Sequence, residues 1–218
     1  ATDSWSSFLW HIDDCERNGV GQGSRPGYFN DLDLLQIGFG ALDDQGSDKP
    51  LMTDDEYRSE YSVFCLLAAP LIMSNDLTKW TAPMAATLLN TEMISINQDP
   101  DGISGRVVFN GTLDSNSTAV NKNLAIIYAR PLHDGSVAVG FMNRANATAS
   151  ISLDLLLIGV PSSTHVKVRD VWKRADLGST KASITQSVCS HCTNVLLVSL
   201  ANGARIDFNP WLSKQIND

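Results

Sequence analysis

The length, composition and charge of this chain exclude several classes of protein. At 218 residues, with 43% hydrophobic and 18% charged residues, it can bury a core in one or two domains and has the composition of neither a disordered chain nor a coiled coil. A formal net charge of −8 at pH 7 argues against nucleic acid and anionic membrane as partners, and no apolar run is long enough to span a bilayer. A neutral ligand such as a sugar is compatible with that charge.

The first hundred residues alternate between helical patterns and short strand-like runs. Apolar residues recur at helical spacing over 4–17, and the capping-box pattern Thr53–Glu56 opens a second helix. Short strands are predicted at Tyr28-Phe29 and, buried, over 70–74, and a third helix follows around Pro83–Leu89. The order helix, strand, helix, strand, helix describes the closing third of a (β/α)₈ barrel.

The pattern changes after Arg106 to short runs rich in Val and Ile, separated by turn residues. His133-Asp134-Gly135 is a hairpin signal between two of these runs. Such a series predicts an antiparallel β-sandwich, so we divide the chain into a barrel part over 1–104 and a sandwich over 105–218. The predicted strands cover residues 106–109, 124–128, 137–141, 149–153, 165–170, 182–185 and 195–200.

Two carboxylates separated by one residue, Asp31 and Asp33, end an aromatic and apolar run that starts at Pro26. Alternate residues of an extended chain share a face, so both acids are predicted to point into one cavity. Burying two like charges is costly unless a polar ligand compensates. A solvated turn is the alternative for an isolated Asp-x-Asp, but the apolar flanks favour a binding site.

The run Pro26–Ile37 resembles the Gly-Gly-Trp-Asn-Asp-Pro-Asp-Met-Leu signature of the α-galactosidases (melibiases) of glycoside hydrolase family 27. Three further blocks follow in the family's order, namely Glu56–Glu60, Ala69–Leu77 and Ile96–Pro100. After residue 106 the resemblance is carried by spacing and by a few residues such as Asp170-Val171-Trp172. It implies the C-terminal part of a (β/α)₈ barrel followed by a β-sandwich, and a retaining enzyme that releases terminal α-linked galactose from oligosaccharides.

The resemblance also implies which residues contact the sugar. Asp33 and Leu34 match the family's galactose-contacting pair, with Asp31 beside them. A carboxylate can accept two hydroxyl donors, and Leu34 would pack against the apolar face of the sugar. Leu32 and Leu34 replace the Pro and Met of the family signature.

No catalytic residue is expected within this chain. A retaining glycosidase needs two carboxyls about 5 Å apart. The family's Lys-Tyr-Asp nucleophile motif is absent, and the match to Asp3-Ser4-Trp5 puts the acid/base immediately before Ala1. Asp13 and Asp14 are the alternative, but they fall at the wrong end of a barrel unit and are interpreted as surface charges. We therefore expect the N-terminal portion of the same enzyme as a partner.

The cysteines and sequons bear on the compartment. Cys189-Ser-His-Cys192 has the spacing of a redox or zinc half-site. Because the sequence has no second pair of this kind, a local disulfide is favoured over free thiols. The resemblance agrees, since some members of the family carry a close pair in this region. Sequons at Asn110, Asn116 and Asn146 lie in polar stretches, and with the family they favour a secreted glycoprotein.

Other kinds of site have no support in the sequence. The four histidines form no ligand-spaced cluster, and neither a Gly-rich phosphate loop nor a catalytic Ser motif is present, so we expect no metal, nucleotide or other cofactor. Trp10, Trp80 and Trp172 are predicted to pack in the core or between the domains.

Two alternative functions remain open. A sibling enzyme of the same family could act on α-N-acetylgalactosaminides, β-arabinopyranosides or isomaltose-type glucans, because the loop that sets this specificity lies outside the chain. A non-catalytic carbohydrate-binding protein that uses the sandwich is the second, although no cluster of exposed aromatic residues supports it.

Overall fold

The computed structural model of the protein describes residues 4–19, 21–38, 40–42, 48–111 and 124–210. Helices occupy much of the first half and strands the second. The α-helices are α1 (Trp5–Arg17), α2 (Asp54–Leu66), α3 (Ala82–Leu88) and α4 (Thr91–Asn97), with short 3₁₀ turns at Leu77–Lys79 and Leu155–Ile158. The strands are β1 (Gly40–Leu42), β2 (Asp48–Pro50), β3 (Arg106–Gly111), β4 (Ala125–Pro131), β5 (Val137–Asn143), β6 (Ala149–Asp154), β7 (Val166–Asp170), β8 (Ala175–Thr180), β9 (Ser183–Val188) and β10 (Thr193–Leu200).

Helix starts follow the side-chain chemistry of their caps. The predicted capping box is present: Glu56 N–H donates to Thr53 Oγ1 at 3.3 Å and Thr53 N–H donates to Glu56 Oε2 at 2.7 Å. Ser4 caps α1 through a single bond, in which its side chain accepts Ser7 N–H. Ten of the thirteen residues of α2 are buried, so α2 is the central helix of the molecule rather than an amphipathic surface helix.

The second half is a two-layer antiparallel sandwich. Six strands form one sheet in the order β3-β4-β5-β10-β7-β8, and β6 pairs with β9 to form the other layer. Alternate residues of the large sheet face opposite cores, as the pleat requires. Ile126 and Tyr128 of β4 face the helices, whereas Ile127 packs against the small sheet. The helices therefore share one core with one face of the large sheet, and the two layers of the sandwich enclose a second core.

The structure confirms the predicted helices and the predicted strands of the sandwich, and adds α4, β1, β2 and β8. The predicted strand at Tyr28-Phe29 is wrong, because Arg25 and Tyr28 bridge across a tight antiparallel turn. The strand over 70–74 is reduced to one parallel bridge, and Ile72 is 52% exposed rather than buried. The boundary between residues 104 and 105 stays a prediction and falls in the connection from α4 to β3.

One of the three tryptophans named above is packed as predicted, and two are exposed instead. Trp172 packs against the shared core and its Nε1–H donates to Ser62 Oγ at 3.1 Å. Trp10 and Trp80 are 63% and 39% exposed, so the prediction that they are packed is wrong for the described chain. Within the described ranges, no helix combines the length and the apolar character that crossing a membrane requires.

Candidate substrate-binding site

The turn that carries Asp31 and Asp33 is built by the two carboxylates themselves. Asp31 Oδ1 accepts the backbone N–H of Asp33 at 2.9 Å, and Asp33 Oδ1 accepts the N–H of Leu34 at 2.8 Å. Asp33 has φ +74°, in the left-handed region that few side chains other than Asn and Asp adopt. The chain is therefore not extended here, and the prediction that the two acids alternate on one face is wrong.

The segment after this turn pairs with the predicted last barrel strand in parallel. Leu35 N–H donates to Ile72 O at 2.9 Å, and Ser74 N–H donates to Leu35 O at 3.0 Å. Ser74 Oγ donates to the same carbonyl at 3.0 Å, and Asn75 Nδ2 donates to Ile37 O. Ser74 and Asn75 thus hold the two segments together.

Asp76, the last polar residue of the family block Ala69–Leu77, also makes local hydrogen bonds. Its Oδ1 accepts Thr78 Oγ1–H at 2.6 Å and Thr78 N–H at 2.9 Å, which caps the 3₁₀ turn at Leu77–Lys79. Hydrogen bonds from the Thr78 side chain and then its backbone lower the pKa of Asp76. The Oδ1 atom of Asp76 is therefore used to close this turn, and Oδ2 lies 3.9 Å from Lys79 Nζ.

A cleft opens between α1, residues 32–36 and α2. Asp33 and Leu34 lie on its wall together with Ser7, His11, Gln36 and Glu60, whereas Asp31 does not line it. Leu34 is 43% exposed and Leu32 only 4%, so the turn presents the first side chain and anchors the second. The arrangement offers the carboxylates of Asp33 and Glu60, the apolar side chain of Leu34 and several polar groups to a ligand. Ser74, Asn75 and Asp76 are not on this wall.

Comparison with known proteins decides the family. The family model described as "Alpha galactosidase A" matches residues 1–99, and that described as "Alpha galactosidase C-terminal beta sandwich domain" matches residues 122–198. The chain belongs to the α-galactosidase (melibiase) family, glycoside hydrolase family 27. Its fold is the C-terminal part of a (β/α)₈ barrel followed by an antiparallel β-sandwich, as predicted.

Individual relatives of the family cover most of the chain. Alpha-galactosidase 3 of Arabidopsis thaliana is 33% identical over 168 residues, which is 76% of this chain and 34% of that protein. The crystal structure of α-galactosidase I from Mortierella vinacea is 27% identical with a TM-score of 0.69, covering 83% of this chain and 42% of that one. A family 27 β-L-arabinopyranosidase from Geobacillus stearothermophilus gives a TM-score of 0.75 at 23% identity, over 94% and 44% of the two chains, a likeness of fold alone. The chain thus spans less than half the length of each of these proteins.

The melibiase blocks around Glu56 and Trp172 form the junction between the helices and the sandwich. Glu56 Oε1 lies 2.6 Å from His191 Nδ1, and Ser59 Oγ donates to His191 O at 2.7 Å. The guanidinium of Arg58 lies over the Trp172 ring, 5.1 Å from its centroid. These residues fix the position of α2 on the sheet.

The block at Ile96–Pro100 ends α4 and joins a buried network. Asn97 Nδ2 donates to Ala69 O at 2.8 Å, and Arg130, fully buried on β4, donates to Cys65 O at 2.6 Å and to Asn97 O at 3.4 Å. Burial lowers the pKa of Arg130 to about 10, against an opposing effect of Asp99. One guanidinium therefore caps the carbonyl ends of both α2 and α4.

Arg130 was not predicted as a structural residue, although its position in the sequence pointed to it. A charged residue inside an otherwise apolar strand, Ala125–Pro131, has to find partners when that strand is buried. The pattern shows that a partner is needed, but the partners themselves are distant along the chain.

The other predicted residues are placed as follows. Cys189 and Cys192 form the expected disulfide, so their sulfurs are not thiolate ligands even though the Asp55 carboxylate lies nearby. Asp14 pairs with Arg17 on the surface at 3.4 Å. Asp13 instead pairs with the buried Arg144 of the sandwich at 2.8 Å, so it stabilises the junction in addition to lying at the surface.

Two of the three predicted glycosylation sites can be located. Asn110 is exposed on β3, and Asn146 is exposed in the bend after β5, where its Oδ1 lies 2.9 Å from His191 Nε2. Asn116 lies outside the described residues. Glycosylation itself stays a prediction.

Proposed function

We propose that this chain is the C-terminal portion of a retaining α-galactosidase that hydrolyses terminal α-linked galactose, with the sugar bound at Asp33 and Leu34. The observation that carries the proposal is the turn that presents these two residues on the wall of a cleft, at the position of the family signature. Relatives named as α-galactosidases support the substrate class.

The chemistry of the turn suits a sugar. Asp33 Oδ1 is engaged by Leu34 N–H, which leaves Oδ2 and a further lone pair as acceptors for two hydroxyl donors. Hydrogen bonds to an ionised carboxylate are among the stronger ones available to a neutral ligand. Leu34, exposed beside it, offers an apolar contact to the C–H face of a pyranose ring.

The bond-breaking carboxyls are proposed to come from a further portion of the barrel. Leu35 directs its backbone groups to the 72–74 segment, so those of Leu34 and Gln36 face the opposite edge of the segment. In the described part of the chain, no backbone hydrogen bond joins Leu34 or Gln36 to another strand. A further parallel strand could pair at this edge and bring the acid/base beside Asp33, because catalytic residues of such barrels come from several strand ends.

We also propose that the protein is a secreted glycoprotein. Exposed sequon residues at Asn110 and Asn146 and the disulfide between Cys189 and Cys192 are compatible with an oxidising compartment. Mass spectrometry of the protein from its natural source, with and without a glycosidase that releases N-linked sugars, tests this proposal.

The test of the activity uses the full-length enzyme that contains this chain. Nitrophenyl glycosides of α-galactose, α-N-acetylgalactosamine, β-L-arabinopyranose and α-glucose are compared by kcat/KM, and the galactoside is expected to be the best substrate. Asp33→Ala should lower kcat/KM for it about 100-fold, because a charge-assisted contact to the sugar is lost. Asp207→Ala, which removes an exposed carboxylate from the sandwich, is the matched control and should leave it unchanged.

Other outcomes identify the alternatives. A preference for one of the other glycosides would show that the substrate is not galactose, while the chain would still belong to the same family. Galactose binding that survives Asp33→Ala but is lost on deletion of residues 106–218, without hydrolysis, would contradict the proposal and favour a carbohydrate-binding module.

A further inference from the structure

The two carboxylates of the Asp31–Leu34 turn have different surroundings. Asp33 and Leu34 line the cleft, whereas Asp31 does not, and the Asp31 carboxylate is bonded to the backbone N–H of Asp33 at 2.9 Å. We propose that Asp31 is a positioning residue that holds the backbone of Asp33 and does not itself contact the sugar. The inference rests on the proposed function, since it concerns the site where galactose would bind.

The conformation of Asp33 explains why such a residue is needed. At φ +74° its backbone is in the left-handed region, which is unfavourable for a residue with a side chain because Cβ crowds the carbonyl oxygen. A bond from the Asp33 N–H to an ionised oxygen two residues earlier favours this turn over the extended chain.

The neighbouring residues are restrained by other means. Leu32 is 4% exposed and anchored in the shared core, and Leu35 is bonded to Ile72 and Ser74 at 2.9 and 3.0 Å. Asp33 Oδ1 accepts Leu34 N–H at 2.8 Å, which sets the rotamer and leaves Oδ2 as the oxygen with free acceptor capacity. Among the described residues, Asp31 therefore makes the side-chain hydrogen bond that fixes the Asp33 peptide itself.

Loss of the Asp31 hydrogen bond would change the position of the Asp33 carboxylate. A hydrogen bond weakens steeply when its donor and acceptor separate or misalign, so an Asp33 that relaxes toward the extended region would lose its sugar contacts without losing its charge. An Asn at position 31 keeps an Oδ1 acceptor and should hold the turn, whereas an Ala cannot. A residue that used its negative charge on a sugar hydroxyl would not tolerate Asn so well.

The test measures kcat and KM for p-nitrophenyl α-galactoside, and the inhibition constant of galactose, in the full-length enzyme. Asp31→Ala should raise KM about tenfold and weaken galactose inhibition equally, with kcat changed less than about threefold, because ground-state contacts of the sugar are lost. Asp31→Asn should stay within about twofold of the wild type. The double variant Asp31→Ala/Asp33→Ala should match Asp33→Ala alone, because Asp31 acts through Asp33.

Three outcomes would overturn the inference. They are additive losses in the double variant, an Asp31→Asn enzyme as impaired as Asp31→Ala, and an Asp31→Ala enzyme with unchanged KM. If Asp31→Ala does not fold, Asp31→Asn decides alone, since a KM raised about tenfold would mean that the charge is used on the sugar.

The role of Asp31 can be tested even if the proposed galactosidase function is wrong. If the wild type does not cleave the galactoside, the wild type and the same four variants are titrated calorimetrically with the sugar that the nitrophenyl panel identifies. The double-variant comparison then tests Asp31 independently of which sugar the site takes.

Discussion

The Asp31–Leu34 turn and the junction between the helices and the six-stranded sheet are held together in different ways. The turn is closed by side chains bonded to backbone one or two residues away, and Leu34 is exposed. At the junction, Arg130 reaches carbonyls of two helices and His191 meets Glu56 across 135 positions of sequence. Three of the melibiase blocks thus support the fold, and one lines the cleft where we propose that the sugar binds. Changes at the junction should lower stability, and changes in the turn should lower affinity.

Removal of the buried guanidinium should have the largest effect on stability. In Arg130→Met the carbonyls of Cys65 and Asn97 lose a charged donor in a site without solvent access, and a cost of about 3 kcal/mol in the free energy of unfolding is expected. Urea denaturation of the full-length enzyme measures it. Arg17→Met, at an exposed ion pair, is the control and should cost about 0.5 kcal/mol or less. Equal effects of the two changes would contradict the contrast between buried and exposed contacts.

Alkaline pH should destabilise the same region. Burial raises the pKa of the Cys65 thiol above its ordinary value of 9.0 and that of the Tyr128 hydroxyl above 10.0. The folded protein keeps these protons after the unfolded chain has lost them, so stability is full below about pH 8 and falls as pH rises further. A loss of about 3 kcal/mol is expected between pH 8 and 10.5. Cys65→Ala should make the decline shallower, and an unchanged slope would exclude the thiol as its source.

The sequence predicted the sandwich and the helices well because their signals are local. Runs of Val and Ile alternate or cluster within single strands, and the Thr53–Glu56 box lies within one helical turn. Strand β8 was missed since five of its six residues are exposed and it includes Gly178, so it has no apolar alternation. The strand expected at Tyr28-Phe29 gives way to a turn in which Gly27 has φ +81°.

The sequence singled out two residues that share one cleft, but it did not predict the geometry of their turn, and their contact with a sugar stays a prediction. The signature identified Asp33 and Leu34, and both lie on the cleft. The positive φ of Asp33 follows from bonds that an alternation rule does not consider, so the expected shared face of Asp31 and Asp33 was wrong. Whether Asp31 contacts the sugar is what the Asp31 variants test. Arg130 and Asn97 have partners 28 to 65 positions away, and spacing along one chain carries no information about such pairs.

Loss of the Cys189–Cys192 disulfide should have a smaller effect than loss of Arg130. The bridge closes a four-residue loop that holds His191 with φ +58° against Glu56. A chain-entropy estimate for so short a loop is about 2 kcal/mol. The double variant Cys189→Ala/Cys192→Ala and the reduced wild type should lose similar amounts in urea denaturation. If reduction lowers stability but the double variant does not, another group must account for the effect.

A change at Leu34 should have the smallest effect and should act on affinity alone. Leu34→Met restores the side chain of the family signature and nearly conserves volume, so KM for the galactoside should change less than about twofold. Leu34→Asn replaces the apolar contact with an amide and should raise KM about fivefold. Since Leu34 is 43% exposed, both variants should unfold within about 0.5 kcal/mol of the wild type. A large loss of stability in either variant would mean that the Leu34 side chain supports the fold. The contrast between a junction that stabilises the fold and a turn that only binds the sugar would then be wrong for Leu34.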